Sequence, residues 1–408
     1  MPLRQVVQAW IVFAAAYVVS VSATTNQFKV PPALPVIIDA FGLDLTAAGL
    51  MMSMFAVVGI FLALPAGLVL RWWGPRRVGT LACLFLMAGG GIGVISNTSW
   101  GLLASRAVEG IGMGLIAVAM PTVISMWFSE DRRGLPMGLW ATWVPIGSIV
   151  MYNMSPVLIA AYSWRSVWWL AAGFSTIASL LCWLVVRPPA SDGDMLENGS
   201  SPIGFREGLV QILTCSEIWR VSVAFGCFTT IALSLYTFLP VFLTTTRGFS
   251  LSDAGFTVSL IMSTTLFSSP LAGWLSDRFG SRRMVFALPF LLLAFMLTFA
   301  FATTRWQIPT YMILFGAVAG GIPMAAFSLV PDVVPDQRLV GVGMALVVMG
   351  QNAGMVIGPV LFGSLAETLG WSMAGKALVP IALLGFGVAW KIKIRQCVSP
   401  IIKNVSFN

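Results

Sequence analysis

The chain alternates between long apolar runs and short polar turns. Each run has roughly the 20 residues that a helix needs to cross the hydrocarbon core of a bilayer. The pattern therefore predicts twelve membrane-spanning helices. Their predicted bounds are 8–30, 47–70, 78–97, 100–127, 135–160, 165–186, 219–243, 252–274, 284–303, 307–330, 339–363 and 371–393.

The longest polar stretch lies between the sixth and seventh predicted helices. It begins Pro-Pro-Ala-Ser-Asp-Gly-Asp and contains Glu-Asn-Gly-Ser-Ser-Pro, which is typical of a flexible linker. We therefore predict an all-α membrane protein with two pseudo-symmetric six-helix bundles. The bundles comprise residues 1–187 and 219–408, joined by a cytoplasmic linker at 188–218.

The two halves repeat each other. The segment from Gly67 to Arg77 recurs 206 residues later as Gly273 to Arg283, at the corresponding turn of each half. Parallel repeats of an even number of helices place a shared cavity between the two bundles. Three further matches lie at offsets of 206, 205 and 203: Leu45–Gly49 with Leu251–Gly255, Ala33–Val36 with Phe238–Val241, and Pro156–Leu158 with Pro359–Leu361.

Composition excludes several classes of protein. The chain is 58% hydrophobic and only 9% charged, whereas soluble domains average about 25% charged residues. The net charge of +8 resides in short turns, so no basic domain exists to bind nucleic acid. Without histidine, and with five scattered cysteines, we expect no metal site, no cofactor and no enzymatic activity.

Arginine and lysine are distributed unevenly between the two membrane faces. If the N-terminus is cytoplasmic, 17 of the 23 basic residues fall on the cytoplasmic side. The positive-inside rule then places both termini and the linker in the cytoplasm. We expect an integral protein of a bacterial cytoplasmic membrane.

The turn motif resembles the loop signature of the major facilitator superfamily. The second copy carries the full pattern, whereas Arg71 and Trp72 replace the usual Asp and Arg of the first copy. Arg106-Ala-Val-Glu-Gly110-Ile-Gly112 resembles the family's fourth-span pattern. The resemblance implies secondary transport by alternating access, with a cavity lined by helices one, four, seven and ten. The segment Asn26–Pro35 resembles the cyanate permease and nitrate/nitrite porter branches.

Lys29 is the first candidate for substrate binding. A charged residue inside a span is costly and is a functional candidate by default. Asn26 lies three residues earlier on the same helix face, and Gln27 is adjacent. Together they offer a cation and amide donors for a carboxylate. The alternative is that Lys29, just before the helix-breaking Pro31-Pro32, snorkels to the outer surface.

Glu109 is the only acid predicted deep in the bilayer, about 14 Å from the start of its helix. Arg106 precedes it by one turn and can reach it. An isolated Glu109 could carry a proton and couple transport to the proton gradient. Paired with Arg106 or Lys29, it would stay ionised and order the cavity wall, and the sequence slightly favours this pairing.

Other polar residues are candidates for two roles. Amides and hydroxyls in mid-membrane either contact substrate or hydrogen-bond across helices, and the second role is the more common. The candidate substrate ligands of this kind are Asn153, Tyr236, Gln351 and Asn352.

The repeated turns contain candidate gating residues. They either anchor the helices at lipid phosphates or form charge pairs that hold the inner gate closed, with Asp277 the strongest gate candidate. The full set is Arg71, Gly74, Arg76, Arg77, Gly273, Asp277, Arg278, Gly280, Arg282 and Arg283.

The function predicted from the sequence is proton-coupled symport of a small organic anion. Its partners are the anionic substrate, protons and the lipid bilayer, and we expect a monomer. The alternative is a proton-coupled exporter of amphipathic drugs or metabolites. The Gly-x-x-x-Gly-Pro pattern of such exporters is missing from the fifth helix, which reads Trp143 to Asn153 without it.

Overall fold

The computed structural model describes residues 3–62, 65–128, 134–187, 211–279, 281–334 and 339–394, and the described residues are all-helical. Eleven helices there are long and apolar enough to cross a membrane. The helix at the ninth predicted place, Arg282–Leu297, has 16 residues. Most of the predicted linker, 188–210, lies outside the described residues.

We number the spans from the helices in chain order. Spans 1 to 6 comprise Leu3–Phe28 with Val30–Phe41, Leu45–Leu62, Pro65–Ile95, Ser99–Trp127, Gly134–Trp140 with Trp143–Ala161, and Arg165–Val185. Spans 7 to 12 comprise Ser216–Thr245, Leu251–Phe279, Arg282–Leu297, Ile308–Ala319 with Gly321–Val333, Val340–Leu369, and Trp371–Ala377 with Val379–Trp390.

The helix is interrupted just before Pro31-Pro32, where a break was predicted, but span 1 continues beyond it. A second helix starts at Val30 directly after Lys29, and the Lys29 amide still donates to the Thr25 carbonyl at 3.1 Å. Proline at the first positions of a helix lacks only a donor that is unpaired there anyway. The span therefore continues to Phe41, and Lys29 lies within it rather than near its end.

The two halves meet at one end of the molecule. We call the end with Leu3 and Trp390 the terminal end, and the opposite one the distal end. Near the distal end a Cβ on Gly49 would lie 2.4 Å from the Pro359 carbonyl oxygen, and one on Gly255 would lie 2.1 Å from that of Tyr152. Glycine thus allows span 2 to touch span 11, and span 5 to touch span 8.

The centre of the molecule is sealed toward the distal end. Every residue from 19 to 35 in span 1 and from 227 to 243 in span 7 is buried. The terminal part of span 1 is more open, since Arg4 and Gln5 are exposed. Spans 1 and 7 therefore form the buried axis of the bundle on its distal side.

Candidate functional site

At the centre of the site, a side chain of span 4 hydrogen-bonds to the backbone of span 1. Pro31 has no amide hydrogen, so the Gln27 carbonyl lacks its usual helical donor. Arg106 supplies one, because its Nη2 donates to Gln27 O at 3.3 Å and its Nη1 to Asn26 O at 2.6 Å. Its Nε donates to Met51 O of span 2 at 3.2 Å. One arginine therefore ties three spans together.

Three ionised side chains meet at this point. The Lys29 ammonium lies 2.5 Å from Glu109 Oε1, and the Arg106 guanidinium pairs with Glu109 Oε2. Asn26 Oδ1 accepts a second bond from Lys29 at 3.0 Å. All three charged side chains are fully buried. The paired interpretation of Glu109 therefore describes this structure, and the snorkelling interpretation of Lys29 is wrong.

The triad of Lys29, Arg106 and Glu109 is enclosed by neighbours from the first half. The Lys29 ammonium lies 4.9 Å from the centre of the Trp168 ring, a favourable cation–π position. Ser175 accepts a hydrogen bond from Asn26 Nδ2 at 2.8 Å. These partners lie on span 6. The described partners of the triad therefore all belong to the first half.

The triad is not electrically neutral. Lys29 and Arg106 contribute two positive charges and Glu109 one negative charge, which leaves a surplus of one positive charge. Burying an uncompensated charge costs several kcal/mol. The carbonyls that Arg106 contacts offset part of this cost by dipole interactions. A further negative charge near the triad is therefore electrostatically favourable.

The remaining predicted substrate ligands differ in their hydrogen bonds and in their burial. Within the described part of the chain, the Gln27 side-chain amide and the Tyr236 hydroxyl make no hydrogen bond, although both residues are nearly buried. Asn352 of span 11 packs against Gly59 of span 2. Gln351 is half-buried, and Asn153 Nδ2 donates to the Ile149 carbonyl of its own helix at 2.8 Å. No described contact connects Gln351, Asn352 or Asn153 to the triad.

The predicted gating residues differ between the halves. Arg282 donates to both carboxylate oxygens of Asp332, at 2.9 and 2.8 Å, and this ion pair joins spans 9 and 10 of the second half. Arg278 lies over Trp274, and Arg283 over Trp390. Gly74 adopts φ 73°, which suits the tight turn that divides Pro65–Ile95 into two helical parts. Gly280 and the side chains of Arg71 and Asp277 lie outside the described residues, whereas Gly273, Arg76 and Arg77 are described.

Sequence reasoning missed the residues that shape the triad's pocket. Trp168 is fully buried beside Lys29, and no motif in the sequence indicated that place. A Cβ on Gly89 would lie 2.5 Å from Glu109 Cγ, so only glycine leaves room for that carboxylate. Gly93 leaves room for the Trp168 ring in the same way. Gly89 and Gly93 lie one helical turn apart, and this spacing could have predicted a face of span 3 that packs closely against other helices.

An all-helical chain with repeated halves and an enclosed charge cluster defines a membrane transport protein rather than an enzyme. The family model described as Major Facilitator Superfamily matches residues 13–268 and 248–396. The chain belongs to that superfamily. The narrower resemblance to cyanate permeases and nitrate/nitrite porters stays a prediction.

Relatives include carriers with different printed substrates. A D-galactonate transporter of Escherichia coli O6:H1 is 24% identical over 393 residues, covering 85% of this chain and 86% of that protein. A multi-drug resistance efflux pump PmrA homolog of Lactococcus lactis is 24% identical over 363 residues, covering 85% of each. A chloroplastic ascorbate transporter of Arabidopsis thaliana is 28% identical over 195 residues, which cover 44% of this chain and 35% of that protein. The chain thus matches about a third of the length of that relative.

A solved structure has the same fold. The crystal structure of a bacterial homolog of the human lysosomal transporter Spinster superposes with a TM-score of 0.80 at 17% identity. The match covers 94% of this chain and 96% of the other. At this level of identity the likeness concerns the fold.

Proposed function

We propose that this protein is a secondary carrier that moves a small organic anion by alternating access, in symport with protons. The observation that carries the proposal is the surplus positive charge of the Lys29–Glu109–Arg106 triad at the buried axis of the bundle. A low-dielectric surrounding strengthens the attraction of this charge for an anion. The D-galactonate and ascorbate transporters among the relatives are consistent with an organic-anion substrate, and D-galactonate is a carboxylate.

Proton coupling follows from the charge balance of the triad. When Glu109 takes up a proton, the surplus rises from one positive charge to two. An anion bound nearby then offsets a larger unfavourable charge, so proton binding and anion binding strengthen each other. Reciprocal strengthening of this kind is the thermodynamic basis of symport.

The free polar groups near the axis are the proposed contacts for the substrate. The Gln27 amide can donate to a carboxylate, and the Tyr236 hydroxyl can do so from the second half. Gln351 and Asn352 extend this set along span 11. Alternating access requires the glycine contacts near the distal end to separate while the terminal end closes. We propose a monomer in a bacterial cytoplasmic membrane, with the terminal end in the cytoplasm.

Reconstitution in liposomes tests the proposal. Purified protein is screened against small carboxylates, inorganic anions and amphipathic cations, with and without an imposed proton gradient. We expect carboxylate uptake that the gradient accelerates. Lys29→Ala should abolish this uptake, whereas Lys376→Ala, at an exposed position, should leave it intact. Normal uptake by Lys29→Ala would remove the anion assignment, and gradient-driven movement of amphipathic cations alone would favour the drug exporter.

A further inference from the structure

The two halves of the chain differ at one pair of repeat-related arginines. Arg76 of span 3 corresponds to Arg282 of span 9 at the 206-residue offset. Arg282 is bound by Asp332, but the residue 206 positions before Asp332 is Met126. Within the described residues, Arg76 has no carboxylate partner. Among the described residues, the first half thus has an unpaired cation at the position where the second half has an ion pair.

Arg76 is held in place, but its Nε has no acceptor among the described residues. Its guanidinium stacks on the Trp183 ring of span 6 at 4.2 Å, which fixes its position. Its Nε is buried and makes no hydrogen bond within the described part of the chain. A buried donor without an acceptor is costly. An acceptor oxygen that reaches the rest of the guanidinium would offset this cost.

The surface beside Arg76 is apolar and faces the hydrocarbon region. Trp183 is 47% exposed, and Leu180 and Leu184 on the same span are 58% and 61% exposed. Leu84, two turns from Arg76 on span 3, is 41% exposed. Large apolar side chains exposed on a membrane span contact acyl chains. A ligand at this place must therefore combine an anionic oxygen with long apolar chains.

Two further cations extend the polar edge of this surface. Arg77 is exposed beside Arg76, and Arg187 is exposed at the terminal end of span 6, four residues after Trp183. Neither forms an ion pair within the described residues. We propose that Arg76, Trp183, Arg77 and Arg187 bind the headgroup phosphate of an anionic phospholipid, whose acyl chains lie along Leu84, Leu180 and Leu184. The lipid phosphate takes the place that Asp332 has in the second half.

Native mass spectrometry of the purified full-length protein tests this site. Dioleoyl phosphatidylglycerol and dioleoyl phosphatidylcholine are added at equal concentration, and inorganic phosphate is added in a separate arm. We expect retention of phosphatidylglycerol in preference to phosphatidylcholine. Arg76→Gln should lower this retention about fivefold, the effect expected for one arginine near an anionic lipid surface. Arg305→Gln removes an exposed cation on the opposite side and should retain the lipid like the wild type.

A second variant tests the role of the missing acid directly. Met126→Asp restores the carboxylate of the second half and leaves Arg76 in place, so it should lower phosphatidylglycerol retention as well. Wild-type retention by Arg76→Gln would overturn the proposal. Equal retention of the two lipids, or displacement of the lipid by millimolar inorganic phosphate, would also overturn it. Since the readout is lipid binding, the result does not depend on the proposed transport substrate.

Discussion

Replacing either end of the Lys29–Glu109 pair has opposite consequences for the charge of the triad. Lys29→Met leaves Arg106 and Glu109 as a neutral pair, whereas Glu109→Gln leaves two buried cations without a carboxylate. Removing one partner of a buried ion pair costs about 3–5 kcal/mol when the remaining charge is uncompensated. We therefore expect Glu109→Gln to be destabilised by about this amount.

The expected stability of Lys29→Met is close to that of the wild type. The substitution removes the surplus charge, which is favourable, but it deprives Asn26 Oδ1 of its donor. An unsatisfied buried acceptor costs about 1–3 kcal/mol, which is comparable to the gain. The double variant Lys29→Met/Glu109→Gln retains one cation and should lie between the two single variants. This order of stability distinguishes a functional surplus charge from a purely structural ion pair.

Thermal unfolding in detergent, followed by tryptophan fluorescence, measures this order. With an unfolding entropy of about 2.1 cal/mol/K per residue, 1 kcal/mol corresponds to about 1 °C for a chain of this length. Glu109→Gln should thus unfold about 3–5 °C below the wild type, and Lys29→Met within about 2 °C of it. Lys29→Met should nevertheless lose anion uptake. If Lys29→Met were the less stable of the two variants, the charge argument would be refuted.

Three further predictions concern neighbouring parts of the structure. Arg106→Lys keeps the charge but loses the guanidinium group that donates to three carbonyls. We expect the free energy of unfolding to fall by about 3 kcal/mol or more, measured in the same unfolding assay. Gly255→Ala places a methyl group against Tyr152 O and should shift the protein toward a conformation open at the distal end, measured by cysteine labelling there. Gly387→Ala, with nothing within 4 Å of the added carbon, is the matched control. Asp277→Asn should slow turnover more than it weakens substrate binding, and unchanged turnover would contradict its gating role.

Most spans could be predicted from the sequence because the length of an apolar run is a local property. The bilayer sets that length whatever the run packs against. The end of span 1 could not be predicted in this way. Whether Pro31 breaks a helix depends on a donor for the Gln27 carbonyl, and that donor is Arg106, 79 residues away from Gln27. Contacts between residues so far apart in the sequence cannot be predicted from the local pattern of apolar and polar residues.

The same distinction applies to the candidate site. Asn26 with Lys29, and Arg106 with Glu109, are three residues apart; the shared helix face of the first two was predicted, and so was the pairing of the other two. The pairing of Lys29 with Glu109 joins spans 1 and 4, so the sequence left it as one of two alternatives. The place of Trp168 beside Lys29 could not be predicted, because it depends on how span 6 is rotated against span 1. Packing between helices is therefore the part that the sequence leaves open.

The enclosure of the triad has a consequence for how an anion is selected. Lys29 need not touch the substrate, since a charge about 8 Å away still contributes about 2 kcal/mol at an effective dielectric constant of about 20. That energy corresponds to about a 30-fold preference for an anion over a neutral analogue. Uptake of a proton by Glu109 would double the surplus charge and add about the same amount again, within the usual range of coupling energies. Selectivity for anions and coupling to protons would then both arise from the net charge of the buried triad. Contacts at Gln27 and Tyr236 would decide which anion is carried.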